Sequence, residues 1–347
     1  MDRLVTVSFE VLAGLLLLGL FYANTAWIAS RGLTAAMRAG RVVKRTRAFF
    51  GFFCVVFFLG VGLRSFLGWA EGPDRKIQCV VSLSPLKNFV KDIGGDRVEV
   101  KILIPPGANP HTYELKPSQL KEIENADLLV KVGSGIEFEL AWLDKLLALN
   151  KKMLVVDGSR GIDFLDMHGC DPESGACAES VGHHSPQGRD PHIWLSPQNA
   201  KIIAGNILEG FATIDPLHKD FYEINKGTLV GRLDQLSSEI RNAFTGFRTN
   251  KFIVFHPAWG YFARDFGLEQ VPIEFGGKEP SAQQLAAVID QAKKLQIKAI
   301  FASPQFSRKS ADVIAREIQG TVIFINPVAE DYLENLKQVA EAIRKNS

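Results

Sequence analysis

The sequence predicts an α/β protein of two lobes, each a parallel β-sheet flanked by helices. One long rigid helix joins the lobes, and hydrophobic targeting sequence precedes them. Three observations lead there. Short apolar strand-like runs alternate with helical periodicity through residues 76–215, the pattern of a parallel sheet covered by helices on both faces. A second alternation of the same kind fills 248–347. Between them, residues 217–247 hold no proline, and Leu217, Phe221, Ile224, Leu229, Leu233, Leu236, Ile240 and Phe244 recur every three to five positions. A helix of roughly 30 residues spans about 45 Å, so segment 216–247 reads as a stiff connector.

Each element has its own signal. Ile77 to Leu83 is a buried strand, and the helix after it runs to about Ile93 and stops at Gly94-Gly95. "RVEVKILIP" alternates as a strand does. A Pro/Gly turn then leads to a helix opening at Pro117, a favoured first position. "DLLVKVG" is a strand, "FELAWLDKLLALN" a helix and "KMLVVDG" a strand. Residues 161–189 carry no apolar period and read as a surface loop rich in Gly, Asp, Glu and His. Ser196-Pro197 starts the next helix. Beyond the connector, "NKFIVF", "IKAIFAS" and "TVIFI" are strands. "PAWGYFARDFG", "SAQQLAAVIDQAKKLQ", "SRKSADVIAREIQG" and "DYLENLKQVAEAIRK" are helices, the first closed by Gly267 and the third by Gly320. No internal repeat is strong enough to read from the sequence.

The 347 residues are 46% apolar and 22% charged, a globular composition with material for a sizeable core. Residues 76–347 carry 31 basic and 34 acidic side chains, which excludes a basic nucleic-acid footprint. The basic bias lies at the N-terminus. "RAGRVVKRTR" from Arg38, the apolar run Ala48 to Gly62, and Gly68-Trp69-Ala70 have the order of a secretory signal. Segment 37–75 is therefore a signal peptide or membrane anchor, with cleavage favoured and translation starting at Met37. Segment 1–36 is then an extension, or, through Val11 to Ala29, an extra membrane segment whose basic loop faces the cytoplasm. Either way the body lies outside the cytoplasm, in the periplasm or on the outer face of the cell membrane. Cys54 reads as an apolar-run residue and Cys79 as buried, while Cys170 and Cys177 are placed for a disulfide in an oxidising compartment.

Three histidines share one setting. His111 stands in a Pro-bounded turn beyond a strand, His192 follows Pro191 just ahead of a helix, and His256 directly follows "FIVF" and precedes Pro257. Ligands collect beyond the carboxyl ends of parallel strands. Neutral imidazole is the commonest metal ligand and suits Zn²⁺. Taken singly, each is better explained as a hydrogen-bonded loop residue than as a ligand.

"LIPPGANPHTYELKPSQLKEIENADLLVKVG", "DPHIWLSPQNA", "FHPAWGYFARDFGL" and "EPSAQQL" with "AIFASPQFS" together resemble one family. They are similar to the substrate-binding proteins of zinc and manganese ABC transporters, over about residues 77–345. The resemblance implies two α/β lobes joined by a long helix, no enzymatic activity, a monomer, and delivery of the ion to an ABC permease in the cytoplasmic membrane. It implies His111, His192 and His256 as metal ligands. Manganese-type members place an Asp near Asn326, and some zinc-type members a Glu where Ala329 stands. The fourth position is then filled by water or by Glu330. Without strong carboxylate ligands the site favours Zn²⁺ over Mn²⁺. The loop holding His168, His183 and His184, with Asp166, Asp171, Glu173 and Glu179 nearby, has a family parallel as an auxiliary metal-collecting segment. A helical linker implies small lobe tilts, and proton competition implies weaker binding at low pH. The alternatives are a zinc-dependent hydrolase, since three histidines with an open position also make a catalytic site, and a metal-stabilised surface adhesin.

Overall fold

The computed structural model describes residues 75–166, 188–247, 250–274, 281–306 and 309–346. Segment 1–74, the histidines His168, His183 and His184, and the pair Cys170 and Cys177 lie outside the described residues. No helix among the described residues is long and apolar enough to cross a membrane.

The first sheet comprises β1 (Ile77–Val81), β2 (Val98–Ile102), β3 (Leu128–Lys131) and β4 (Leu154–Asp157), in the order β2-β1-β3-β4 and parallel throughout. The second comprises β5 (Lys251–Val254), β6 (Glu269–Pro272), β7 (Ala299–Ala302) and β8 (Thr321–Phe324), in the order β6-β5-β7-β8, again all parallel. The two sheets therefore repeat one topology, invisible in the sequence because it constrains connections and not residue identities. The sequence reading also lacked β6. "EQVP" is short, half polar and ends in proline, which an edge strand tolerates because one side of it needs no hydrogen bonds.

The helices are α1 (Ser84–Gly94), α2 (Pro117–Glu124), α3 (Glu137–Leu149), α4 (Pro197–Ile214), α5 (Lys219–Ala243), α6 (Gly260–Phe266), α7 (Ala282–Lys294), α8 (Lys309–Glu317) and α9 (Tyr332–Asn346). Proline occupies the first turn of α1, α2 and α4, and the Ser196 hydroxyl accepts from the Asn199 N–H to cap α4. Gly267, at φ 70°, closes α6 in the left-handed region. Gly320 does not do the same for α8: the left-handed residue is Gln319, at φ 53°. Gly320 is small for another reason, since a Cβ there would meet the Lys298 carbonyl at 2.2 Å.

The connecting helix is shorter than the periodicity predicts. A 3₁₀ turn, Pro216–His218, precedes α5, whose 25 residues span about 37 Å. Leu217 and Ile224 of the predicted stripe are exposed, and Tyr222 is buried in their stead. The last helix departs from its expected grouping with the C-terminal lobe. Leu336, Val339, Ala340 and Ile343 of α9 join the core that contains α5 and the first sheet. That core also takes Phe252, Val254 and Phe301 from one face of the second sheet. The alternate positions, Ile253, Ile300 and Ala302, face a separate core under α7 and α8.

Candidate metal centre

The carboxyl ends of both sheets converge on the three histidines. His111 lies in the turn after β2, where its N–H donates to Asn109 Oδ1 at 2.9 Å. His256 directly follows Phe255 at the end of β5. His192 stands just before a 3₁₀ turn, Ile193–Leu195, and not in an extended run. That turn is fully buried and carries Trp194, whose ring lies 5.4 Å from that of His192.

The sequence places these residues far apart and the fold brings them together. Their ligand atoms all lie within 4.8 Å of one another, the one such metal-competent group among the described residues. Ring centroids are separated by 5.5, 4.9 and 5.1 Å. The Nε2 atoms of His192 and His256 are 3.2 Å apart. Two nitrogens on a tetrahedral Zn²⁺, with bonds of about 2.0–2.1 Å, are separated by about 3.3 Å.

Each imidazole is oriented by a carboxylate through Nδ1, and each carboxylate comes from a different place. Glu137, the first residue of α3, accepts from His111 at 2.7 Å. Asp190 accepts from His192 Nδ1 at 2.7 Å and from the His192 backbone N–H at 2.9 Å. Glu274, just past β6, accepts from His256 at 3.0 Å, while its own N–H donates to the Phe255 carbonyl. With Nδ1 so held, Nε2 is the ring atom that ligates. Phe306 stacks on His256 at 4.4 Å and 24° and stands 6.2 Å from His111, forming an apolar wall.

Burial decides the charge state. His256 is 3% exposed, and desolvation lowers its pKa to about 3. The neighbouring His192 and His111 act in the same direction, against Glu274. A neutral imidazole is the form that binds a metal. Asp190, also buried, is pushed up to about 7 by desolvation, with the His192 N–H and His111 acting against the shift. A divalent cation at the three Nε2 atoms would favour its ionised form.

Glu330, the expected fourth ligand, is not part of this group. Its carboxylate pairs with Lys87 of α1 and the side chain is 44% exposed. The loop before it is held in its register by hydrogen bonds at Asn326 and Pro327. Asn326 Oδ1 accepts from Gln305 Nε2 at 2.8 Å and from the Val328 N–H at 3.1 Å. The Asn326 and Pro327 carbonyls accept from Asn335 Nδ2 and Trp194 Nε1, at 2.8 and 2.7 Å. Asn326 is thus committed to the loop. Asp190 was within reach of sequence reasoning, two residues before His192 in "DPH". Glu137, Glu274 and Phe306 carry no local signal.

Residues 79–346 match the family described as zinc-uptake complex component A, periplasmic. The chain belongs to this family. Among relatives of the zinc-uptake component, the high-affinity zinc uptake system protein ZnuA of Bacillus subtilis (strain 168) is 30% identical over 303 residues, covering 84% of this chain and 94% of that protein. The crystal structure of a ZnuA aligns with a TM-score of 0.70 and 41% identity, over 77% of this chain and 98% of that one. A zinc-bound ZnuA deletion mutant aligns equally well, with a TM-score of 0.70, 41% identity, and 77% and 96% coverage. The zinc-uptake family comprises solute-binding transport components, and its fold of two parallel α/β lobes with a long connecting helix is the fold described above.

Proposed function

We propose that the chain binds Zn²⁺ outside the cytoplasm as its transported substrate and passes it to an ABC permease in the cytoplasmic membrane. His111, His192 and His256 hold the ion. The observation that carries this reading is the convergence of three imidazoles from both lobes, each turned by its own carboxylate so that Nε2 ligates. Three neutral nitrogen donors favour zinc, whereas Mn²⁺ prefers oxygen. Three protein ligands leave the fourth tetrahedral position to water or another ligand. The N-terminal segment serves export or anchorage, as its basic and apolar order supports, and the chain works as a monomer.

Metal analysis of protein purified without chelators, followed by competition between Zn²⁺ and Mn²⁺, tests the reading. Zinc is expected to bind tightly and to resist manganese. The triple variant His111→Ala, His192→Ala, His256→Ala is expected to lose zinc binding altogether. Undiminished zinc affinity in that variant refutes the site.

A further inference from the structure

The second lobe touches Asp190, the residue that orients His192, one of the two ligands of the first lobe. Tyr261, fully buried in α6, lies five positions after His256. Its hydroxyl accepts from the Leu165 N–H at 3.1 Å and donates to the Asp190 carbonyl at 2.9 Å. Leu165 and Asp190 are themselves joined, the Asp190 N–H donating to the Leu165 carbonyl at 2.8 Å, beside the bridge of Asp166 to Arg189. One hydroxyl from lobe two thus pins both sides of this junction. A second contact reaches the carboxylate itself. At Gly260 a Cβ would stand 2.6 Å from Asp190 Oδ2, so the first turn of α6 lies directly against that group. The other carboxylate oxygen, Oδ1, accepts from both the backbone N–H and Nδ1 of His192.

We infer that Tyr261 and Gly260 are positioning residues for zinc binding: through Asp190 they set where His192 presents Nε2 to the Nε2 of His256. His256 and both positioning residues sit on one short segment, 256–261. Lobe two therefore carries its own ligand and also aims one ligand of lobe one, His192, with or without an ion between them. A hydroxyl contact across lobes suits this task because it satisfies one donor and one acceptor at a fixed distance, and a glycine suits it because any Cβ would displace the carboxylate. The inference rests on the zinc reading above.

The test uses the full chain stripped of metal. Variants are Tyr261→Phe, Gly260→Ala and, as control, Tyr222→Phe, which removes an equally buried hydroxyl bonded to Asp215. Zinc affinity is measured by competition with a chromophoric chelator, and site geometry by the visible ligand-field bands of the Co²⁺ complex. Tyr261→Phe and Gly260→Ala are each expected to weaken zinc binding by about 10-fold or more and to alter the Co²⁺ bands. Tyr222→Phe is expected to change neither. Parental zinc affinity and an unchanged Co²⁺ spectrum in Tyr261→Phe overturn the inference. Should that variant not fold, the same result in Gly260→Ala overturns it. A parent protein that binds neither Zn²⁺ nor Co²⁺ overturns the zinc reading, and the inference with it.

Discussion

His256 shows how burial prepares a ligand. An imidazole in water is half protonated near pH 6.5, whereas desolvation holds this one neutral down to about 3. Unfolding between those values takes up a proton. The contribution of His256 to stability is therefore present above pH 6.5 and lost as pH falls toward 3. Asp190, raised to about 7, acts in the opposite sense, so the histidine must be read against its own variant. In urea unfolding of metal-free protein, the parent should lose stability relative to His256→Gln as pH drops through that window. A pH-independent difference would remove the argument. The carboxylate partners carry a second prediction. Glu274→Gln keeps shape but not charge, and should weaken zinc binding by roughly 10- to 100-fold in a chelator competition. His111, His192 and His256 were legible because each sits in a short Pro-bounded stretch. Glu274 was not, because it reaches His256 across a strand pairing, and β6 itself leaves almost no mark on the sequence.

Among the elements, the loop between β8 and α9 is tied to the turn that carries Trp194 beside His192. Trp194 Nε1 donates to the Pro327 carbonyl from a fully buried ring. Trp194→Phe would leave that carbonyl unsatisfied, and should cost about 1–3 kcal/mol by urea denaturation. The pinning also explains Glu330. Because its carboxylate pairs with Lys87 at a half-exposed position, Glu330→Ala should leave zinc affinity unchanged and alter stability by no more than about 1 kcal/mol. A large loss of affinity in that variant would return Glu330 to the coordination sphere. The starts of α2, α4 and α7 follow the sequence signal, where proline or a serine cap marks them. The match is poorer along α5, where apolar spacing continues through the preceding 3₁₀ turn and onto exposed Leu217 and Ile224.

At the scale of the whole molecule, one continuous core runs from the first sheet through α5 and α9 to a face of the second sheet. Parting the two lobes widely would expose that surface, so small tilts are the cheaper motion. Ligand ion bound to the folded state alone should stabilise it. At a thousand-fold excess over its Kd, Zn²⁺ should add about 4 kcal/mol, read as a rise in melting midpoint that EDTA abolishes. A midpoint indifferent to zinc would contradict binding at a folded site. The sequence by itself determined the α/β alternation and the connecting helix, because hydrophobic period and proline placement are local properties, and it offered the three histidines as candidates through their Pro-bounded turns and the family resemblance. Only the tertiary structure decided that Glu137 aims His111 and Glu274 aims His256, that α9 packs along α5, that Glu330 turns to Lys87, and that Tyr261 reaches Asp190 from the other lobe. Those are contacts between residues distant in the chain. They depend on how two repeated sheets face each other, and no local pattern of residue types encodes that.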